Sequence, residues 1–295
     1  MEVLKIDNLY KKFNEKEVLK GLSLTVKEKS IFGFVGKNGA GKTTTMKAIL
    51  GLIKIDSGDI YVCGKKVKYG QTDTNQFIGY LPDVPEFYSF MTPLEYLMLC
   101  GKSLSLSKEE TLKRSKELLK LVGLEDEKRY IKGFSRGMKQ RLGIAQALLG
   151  RPKILICDEP TSALDPIGRK EILDVLVAAK EMTTVIFSTH ILSDVERICT
   201  DVALLNDGRI VMNSSIDELK KNLKEEFIVE VCNIKDLDLF KCFSDVNVSN
   251  NTIRFSNNSN MIDVLEFISV NKIAINKIEK QEVDLESLFL EVIKR

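Results

Sequence analysis

Residues 36–44 read GKNGAGKTT and directly follow the apolar stretch Ile31-Phe32-Gly33-Phe34-Val35. The pattern G-x-x-x-x-G-K-[ST], set between a strand and the start of a helix, predicts a phosphate-binding loop. Gly36, Gly39 and Gly41 let the backbone fold tightly, so that consecutive N–H groups from Gly36 through Lys37, Asn38 and Ala40 point at phosphate oxygens. Lys42 brings a point charge to the β and γ phosphates. Thr43 offers a hydroxyl to Mg²⁺, and the helix that begins with Thr43 and Thr44 presents its positive dipole end. The segment calls for a nucleoside triphosphate as ligand.

Far downstream, Ile154-Leu155-Ile156-Cys157 is a short apolar run of the kind found in a strand buried on both faces, and it ends in Asp158-Glu159-Pro160. A carboxylate at the C-terminal end of such a strand sits beside a phosphate loop, where Asp158 can hold Mg²⁺ directly or through water. Glu159 is then the natural general base for an attacking water. His190 is the only histidine in the chain and closes the run Thr184-Val185-Ile186-Phe187-Ser188-Thr189. A lone histidine after an apolar strand is ordinarily structural. Here the strand follows the Asp158 strand by one helix, which places the imidazole where it can hydrogen-bond the transferred phosphoryl group and orient the water.

Between these two strands and the phosphate loop lies Phe134-Ser135-Arg136-Gly137-Met138-Lys139-Gln140-Arg141. Ser135 can cap the helix that follows, and Gly137 keeps its first turn open to a ligand. The order phosphate loop, FSRGMKQR, ILICDEP, SALD (Ser162 to Asp165) and His190 resembles the ATP-binding subunit of an ABC transporter over about residues 1–215. The resemblance implies that Ser135 and Gly137 contact the γ-phosphate of an ATP held by another subunit, that Asp165 belongs to the same composite site, and that His190 is the family's switch histidine. Two ATPs would be sandwiched between two copies, as a homodimer or with a paired cassette. It also implies an aromatic stacked on adenine within Leu9-Tyr10-Lys11-Lys12-Phe13; spacing favours Phe13, with Tyr10 as the alternative.

Three positions depart from the most common pattern of that family. Arg136 stands where glycine is usual and Met138 where glutamine is usual, as in cassettes paired with type-2 exporter permeases. Asp83, in Phe77-Ile78-Gly79-Tyr80-Leu81-Pro82-Asp83, stands where a glutamine usually ligates Mg²⁺ and water. It keeps an oxygen donor but is shorter and charged, so metal contact through water is the expectation.

Lys and Arg number 44 against 42 Asp and Glu, a net charge of +2 with no polybasic tract, which argues against nucleic acid as partner. No uninterrupted apolar run exceeds five residues, against the ~20 needed to cross a bilayer. The first residues show no signal-peptide core. The expectation is a subunit on the cytoplasmic side of the membrane, held there by a permease. The six cysteines are scattered without a CxxC pair and read as reduced core thiols, with neither disulfides nor zinc.

The expected fold is α/β. A parallel-sheet phosphate-loop NTPase core carries an antiparallel β edge (residues 1–30) and a helical subdomain (about 84–150). Thr92-Pro93-Leu94-Glu95 predicts a helix start with a capping box, Ser107 a second start running to about Gly123, and Asn206-Asp207-Gly208-Arg209 a hairpin. Residues 216–295 form a second, small α+β domain of ferredoxin-like order. Its expected parts are a strand at 227–231, a hairpin around Asn250-Asn251 and a helix face of Met261, Val264, Leu265 and Ile268. A strand from Ile273 follows, then a terminal helix capped by Asp284 with Leu285, Leu288, Phe289 and Val292 on one face. The tail DLESLFLEV resembles that of type-2 exporter cassettes.

These features predict an ATP-hydrolysing subunit with Mg²⁺ as cofactor, powering a separate membrane permease that exports a drug, peptide antibiotic or similar compound. A nutrient-importer subunit and a non-transport ATPase of ribosome or DNA are the alternatives.

Overall fold

Alternation of apolar and polar residues lays down the first two strands, β1 (Glu2–Phe13) and β2 (Lys16–Lys27), which pair antiparallel. Leu4, Ile6 and Leu9 of β1 and Leu22, Leu24 and Val26 of β2 face the core. In this computed structural model the chain divides into two units, Met1–Ile216 and Asp217–Arg295. The structure describes residues 1–71, 73–222, 225–243, 246–255, 261–282 and 288–289.

The first unit continues with β3 (Ile31–Gly36), α1 (Lys42–Ile49), β4 (Ser57–Val62), β5 (Lys65–Lys66) and β6 (Ile78–Leu81). Three helices follow, α2 (Pro93–Ser103), α3 (Lys108–Leu121) and α4 (Arg136–Leu148). The core then resumes with β7 (Ile154–Cys157), α5 (Pro166–Ala179), β8 (Thr184–Thr189), α6 (Leu192–Ile198), β9 (Asp201–Asn206) and β10 (Arg209–Ser215). One sheet has the order β2-β1-β4-β5 and a second β10-β9-β3-β8-β7-β6. The antiparallel edge is thus wider than residues 1–30, because β4 pairs with β1 from beyond the phosphate loop. In the second sheet β9, β3, β8, β7 and β6 run parallel, and every residue of β3, β7 and β8 is buried. Continuous apolar sequence is what such doubly covered strands require.

Local signals place the helix ends. Thr92 caps α2 through a complete capping box with Glu95, with Pro93 in the first turn. Ser107 caps α3 by accepting from the Glu110 N–H. At the β9–β10 hairpin, Asp207 and Gly208 both take positive φ, 45° and 77°, the geometry of a two-residue turn.

The second unit begins within α7 (Ile216–Asn222) and contains β11 (Glu225–Val231), β12 (Val246–Ser249), β13 (Thr252–Phe255), α8 (Met261–Val270) and β14 (Ile275–Glu282). Its antiparallel sheet has the order β12-β13-β11-β14, the ferredoxin-like arrangement. A 3₁₀ segment at Ile234–Cys242 occupies the place of the first helix, which the sequence reading missed. The last strand starts two residues later than expected, at Ile275. Phe227 and Phe255 stack at 4.7 Å in a core shared with Phe240, Val264 and Ile268. Of the expected terminal helix, Asp284, Leu285 and Val292 lie outside the described residues; Phe289 is buried.

Candidate nucleotide site

Strand register assembles the site. Val35 of β3 lies opposite Thr189 of β8, so the phosphate loop and His190 leave the sheet at the same level. Cys157 of β7 lies opposite Phe187, which sets Asp158 beside Ser188, and Leu81 of β6 lies opposite Cys157, which brings Asp83 to the same edge. This is the carboxyl end of a parallel sheet, where open α/β folds bind ligands.

The loop is a preformed cradle. Gly41 caps α1 at φ 114°, and a Cβ at Gly36 would stand 2.6 Å from the Leu205 carbonyl oxygen. Only glycine satisfies both positions. Lys42 is 6% exposed, and its Nζ donates to the carbonyl oxygens of Gly36 (2.6 Å) and Lys37 (3.2 Å). The same Nζ stands 3.0 Å from Glu159 Oε1. The other carboxylate oxygen, Oε2, lies 2.8 Å from His190 Nδ1; a carboxylate accepts, so Nδ1 is the nitrogen that donates. Glu159 therefore bridges the lysine and the histidine.

Asp158 is buried at the end of β7, and its Oδ1 accepts from the Ser188 hydroxyl at 2.7 Å. The same hydroxyl oxygen accepts from the Glu159 N–H at 2.9 Å. Ser188 thus orients both acidic residues. Glu159 itself holds φ 49°, an uncommon conformation for a non-glycine residue and one that turns its side chain toward the cleft. Burial, with the Asp158 charge second, pushes the phenol of Tyr80 up to about 12, so this neighbour stays neutral.

A cleft of about 360 Å³ gathers Asn38, Gly39, Gly41, Lys42, Thr43, Thr44, Asp83, Glu159 and His190, together with Val18 and Ser162. Thr43 and Asp83 line it with oxygen-bearing side chains, and Asp158 follows the end of β7, one residue before Glu159; such groups suit a hard cation. Among the described residues no three His, Cys, Asp or Glu side chains form a metal cage. The set fits Mg²⁺ that takes most of its ligands from phosphate and water.

Eight expected site residues do not line this cleft: Gly36, Lys37 and Ala40 of the loop, Asp158 at the end of β7, and Ser135, Gly137, Asp165 and Phe13. Ser135 caps α4, its Oγ accepting from the Met138 N–H at 3.2 Å, and Gly137 lies in the first turn of that helix. Asp165 caps α5, accepting from the Gly168 N–H at 2.9 Å. Phe13 is 46% exposed at the end of β1, with Lys11 Nζ 4.8 Å from its ring centre. Tyr10, the alternative, packs over Gly21.

Sequence reasoning missed two supports. One is Ser188, which with Thr189 breaks the apolar run Val185-Ile186-Phe187 of β8 two positions before His190; that interruption was its signal. The other is a buried network. Thr161 donates to Asp194 Oδ2 at 2.8 Å, and Arg169 donates to Asp194 Oδ1 at 2.7 Å, tying the segment after Glu159 to α5 and to the helix after His190. Nothing in the sequence marks Asp194, because its partners come from two other elements.

Fold and site define a phosphate-loop nucleotide-binding ATPase. Residues 19–162 match the ABC transporter family. The chain is 44% identical over 220 residues to the uncharacterized ABC transporter ATP-binding protein YxlF of Bacillus subtilis, covering 74% of this chain and 73% of that one. It is 39% identical to the bacitracin transport ATP-binding protein BcrA of Bacillus licheniformis, over 74% and 72% of the two chains. With the linearmycin resistance ATP-binding protein LnrL of Bacillus subtilis it shares 32% identity over 99% of both. Among solved structures, cbiO1 of Clostridium perfringens, part of an ABC transporter complex, superposes with a TM-score of 0.70 at 29% identity, over 75% of this chain and 91% of that one. The ADP- and Pi-bound cassette dimer MJ0796 superposes at 0.63 with 27% identity, over 72% and 98%. The chain belongs to the ABC transporter ATP-binding proteins and is an ATPase of that type.

Proposed function

We propose that two copies of this chain, or this chain and a paired cassette, close around two ATP molecules and drive a separate membrane permease that exports a peptide antibiotic, drug or similar amphipathic compound. One observation carries the catalytic part: Glu159 touches Lys42 through one oxygen and His190 through the other. Lys42 would bind the β and γ phosphates, Glu159 would take the proton of the attacking water, and His190 would hold that water against the γ-phosphate. Thr43, Asp158 and Asp83 would hold Mg²⁺, which screens the phosphate charge.

Ser135, Gly137 and Asp165 would complete the site of the other copy. Their position outside the cleft of their own chain supports this division, as does the dimeric form of MJ0796. Phe13, exposed at a strand end, would stack on adenine. Among the described residues no helix is long and apolar enough to cross a membrane. A permease subunit would therefore carry the transport path and hold this chain at the cytoplasmic face.

Likeness to the linearmycin resistance protein extends over nearly the full length of both chains, second unit included, and this favours export over import. The test is to isolate the tagged chain from detergent-solubilised host membranes and to delete its gene. A co-purifying polytopic membrane protein and increased sensitivity to amphipathic antibiotics are expected. Unchanged sensitivity across such a panel, or recovery with ribosomes instead, would refute the export reading.

A further inference from the structure

Asp83 and Arg136 lie 53 positions apart in sequence and meet in space. Arg136 Nη2 donates to Asp83 Oδ1 at 3.1 Å. Arg136 is the first residue of α4, directly after Ser135, and Asp83 follows the end of β6.

The main chain at Asp83 is held independently of this pair. Its carbonyl oxygen accepts from Gln140 Nε2 at 2.6 Å, and Gln140 is fully buried on the inner face of α4. Backbone position is thus set by Gln140, while the carboxylate is held at the surface by Arg136.

Asp83 also lines two separate hollows. One is the nucleotide cleft, shared with Lys42, Thr43, Glu159 and His190. The other, of about 420 Å³, is shared with Arg136, Lys132 and Lys139. Asp83 thus stands between the two hollows. Both partners of the ion pair are roughly half exposed, at 41% and 47%. Such pairs contribute little and are readily exchanged for a stronger partner.

We infer that Arg136 is a positioning residue for Asp83: it holds the carboxylate on the second hollow's side, and loading of the cleft with metal-bound nucleotide draws Asp83 away from it. This rests on the proposed reading that Asp83 faces the nucleotide's metal. The consequence is a charge link between cleft occupancy and the first turn of α4, the turn that carries Ser135 and Gly137. When Asp83 turns inward, the guanidinium beside Ser135 is released and becomes free to meet anionic groups on the opposing copy.

The experiment is a double-mutant cycle read by nucleotide binding, with fluorescent ATP titrated into wild type, Arg136→Gln, Asp83→Asn and the double variant, each with Mg²⁺ and with EDTA. Removing the competitor for Asp83 should tighten Mg²⁺-dependent binding in Arg136→Gln by about two- to five-fold, the range set by an exposed ion pair. Binding in EDTA should be unchanged. In the Asp83→Asn background Arg136→Gln should have no effect, and Arg136→Lys, which keeps the charge, should stay close to wild type.

An equal effect with and without Asp83, an equal effect in EDTA, or no effect at all overturns the inference. Absence of Mg²⁺-dependent binding in wild type overturns the site reading, and this inference with it. Intact wild-type binding without the coupling overturns the inference alone.

Discussion

Lys42 and Glu159 form a close ion pair, Nζ to Oε1 at 3.0 Å, in which the lysine is 5% and the glutamate 14% exposed at the side chain. The proposed phosphate-binding cation and the proposed base are therefore direct neighbours. In the proposed mechanism a phosphate that attracts Lys42 would compete with Glu159 for it, and that competition would free the carboxylate for water.

Replacing Glu159 by glutamine keeps the shape and removes both the base and the anionic partner of Lys42. Loss of a general base typically costs about 10²–10⁴ in rate. ATP hydrolysis should fall by that factor. With ATP and Mg²⁺ the variant should run as a dimer on size exclusion, since the closed form outlives its slowed hydrolysis. Turnover close to wild type would move the role of base to another residue, Asp83 first.

Lys42→Ala removes the cation and the hydrogen bonds its Nζ makes to the Gly36 and Lys37 carbonyl oxygens. ATP binding, measured by equilibrium titration, should be abolished or reduced beyond detection of turnover. Retained hydrolysis in a cleanly purified variant would refute the phosphate-loop assignment.

Ser135 has a structural and a proposed catalytic role, and two variants separate them. Ser135→Ala loses the helix cap, at about 1 kcal/mol, whereas Ser135→Asn retains a capping oxygen. Both should impair hydrolysis while leaving the affinity of monomers for ATP nearly unchanged, and only the alanine variant should lower the melting temperature. A matching loss of monomer affinity would place Ser135 in its own chain's pocket.

Thr161→Val deletes the hydroxyl that donates to Asp194, a carboxylate only 2% exposed, and keeps the volume. An unmet buried acceptor costs about 1–3 kcal/mol. Chemical denaturation should show a loss of that size in the transition of the first unit. A neutral result would mean that Arg169 alone satisfies Asp194.

Thiol reactivity follows burial. Desolvation, with the Asp158 charge second, pushes the Cys157 thiol far above its ordinary value, and burial acts the same way on Cys199. Cys232 and Cys242 are exposed and are not the core thiols expected of them, because Cys232 follows the end of β11 and Cys242 ends the 3₁₀ segment, where the chain leaves the packed elements. Alkylation of the native protein at pH 8, followed by mass spectrometry, should label Cys232 and Cys242 first and Cys157 only after unfolding. Early labelling of Cys157 would show that β7 is accessible.

What the sequence determined by itself was local or dictated by chemistry. Glycine spacing and a following lysine specify a phosphate cradle because few residues tolerate those backbone angles, as Gly41 at φ 114° illustrates. Capping residues Thr92, Ser107 and Ser135 mark helix starts because the hydrogen bond they make closes within three residues. Apolar runs at Ile31–Val35 and Ile154–Cys157 mark strands buried on both faces.

Only the tertiary structure decided the contacts that turn these parts into a site. Ser188 lies between Asp158 and Glu159 because β7 and β8 pair in one particular register. Asp194 is held by residues of two other elements, and Arg136 finds Asp83 across 53 positions. Single-chain periodicity carries no record of register or of long-range polar pairing. Such pairs arise because buried or clustered charges must find partners wherever the packed elements deliver them.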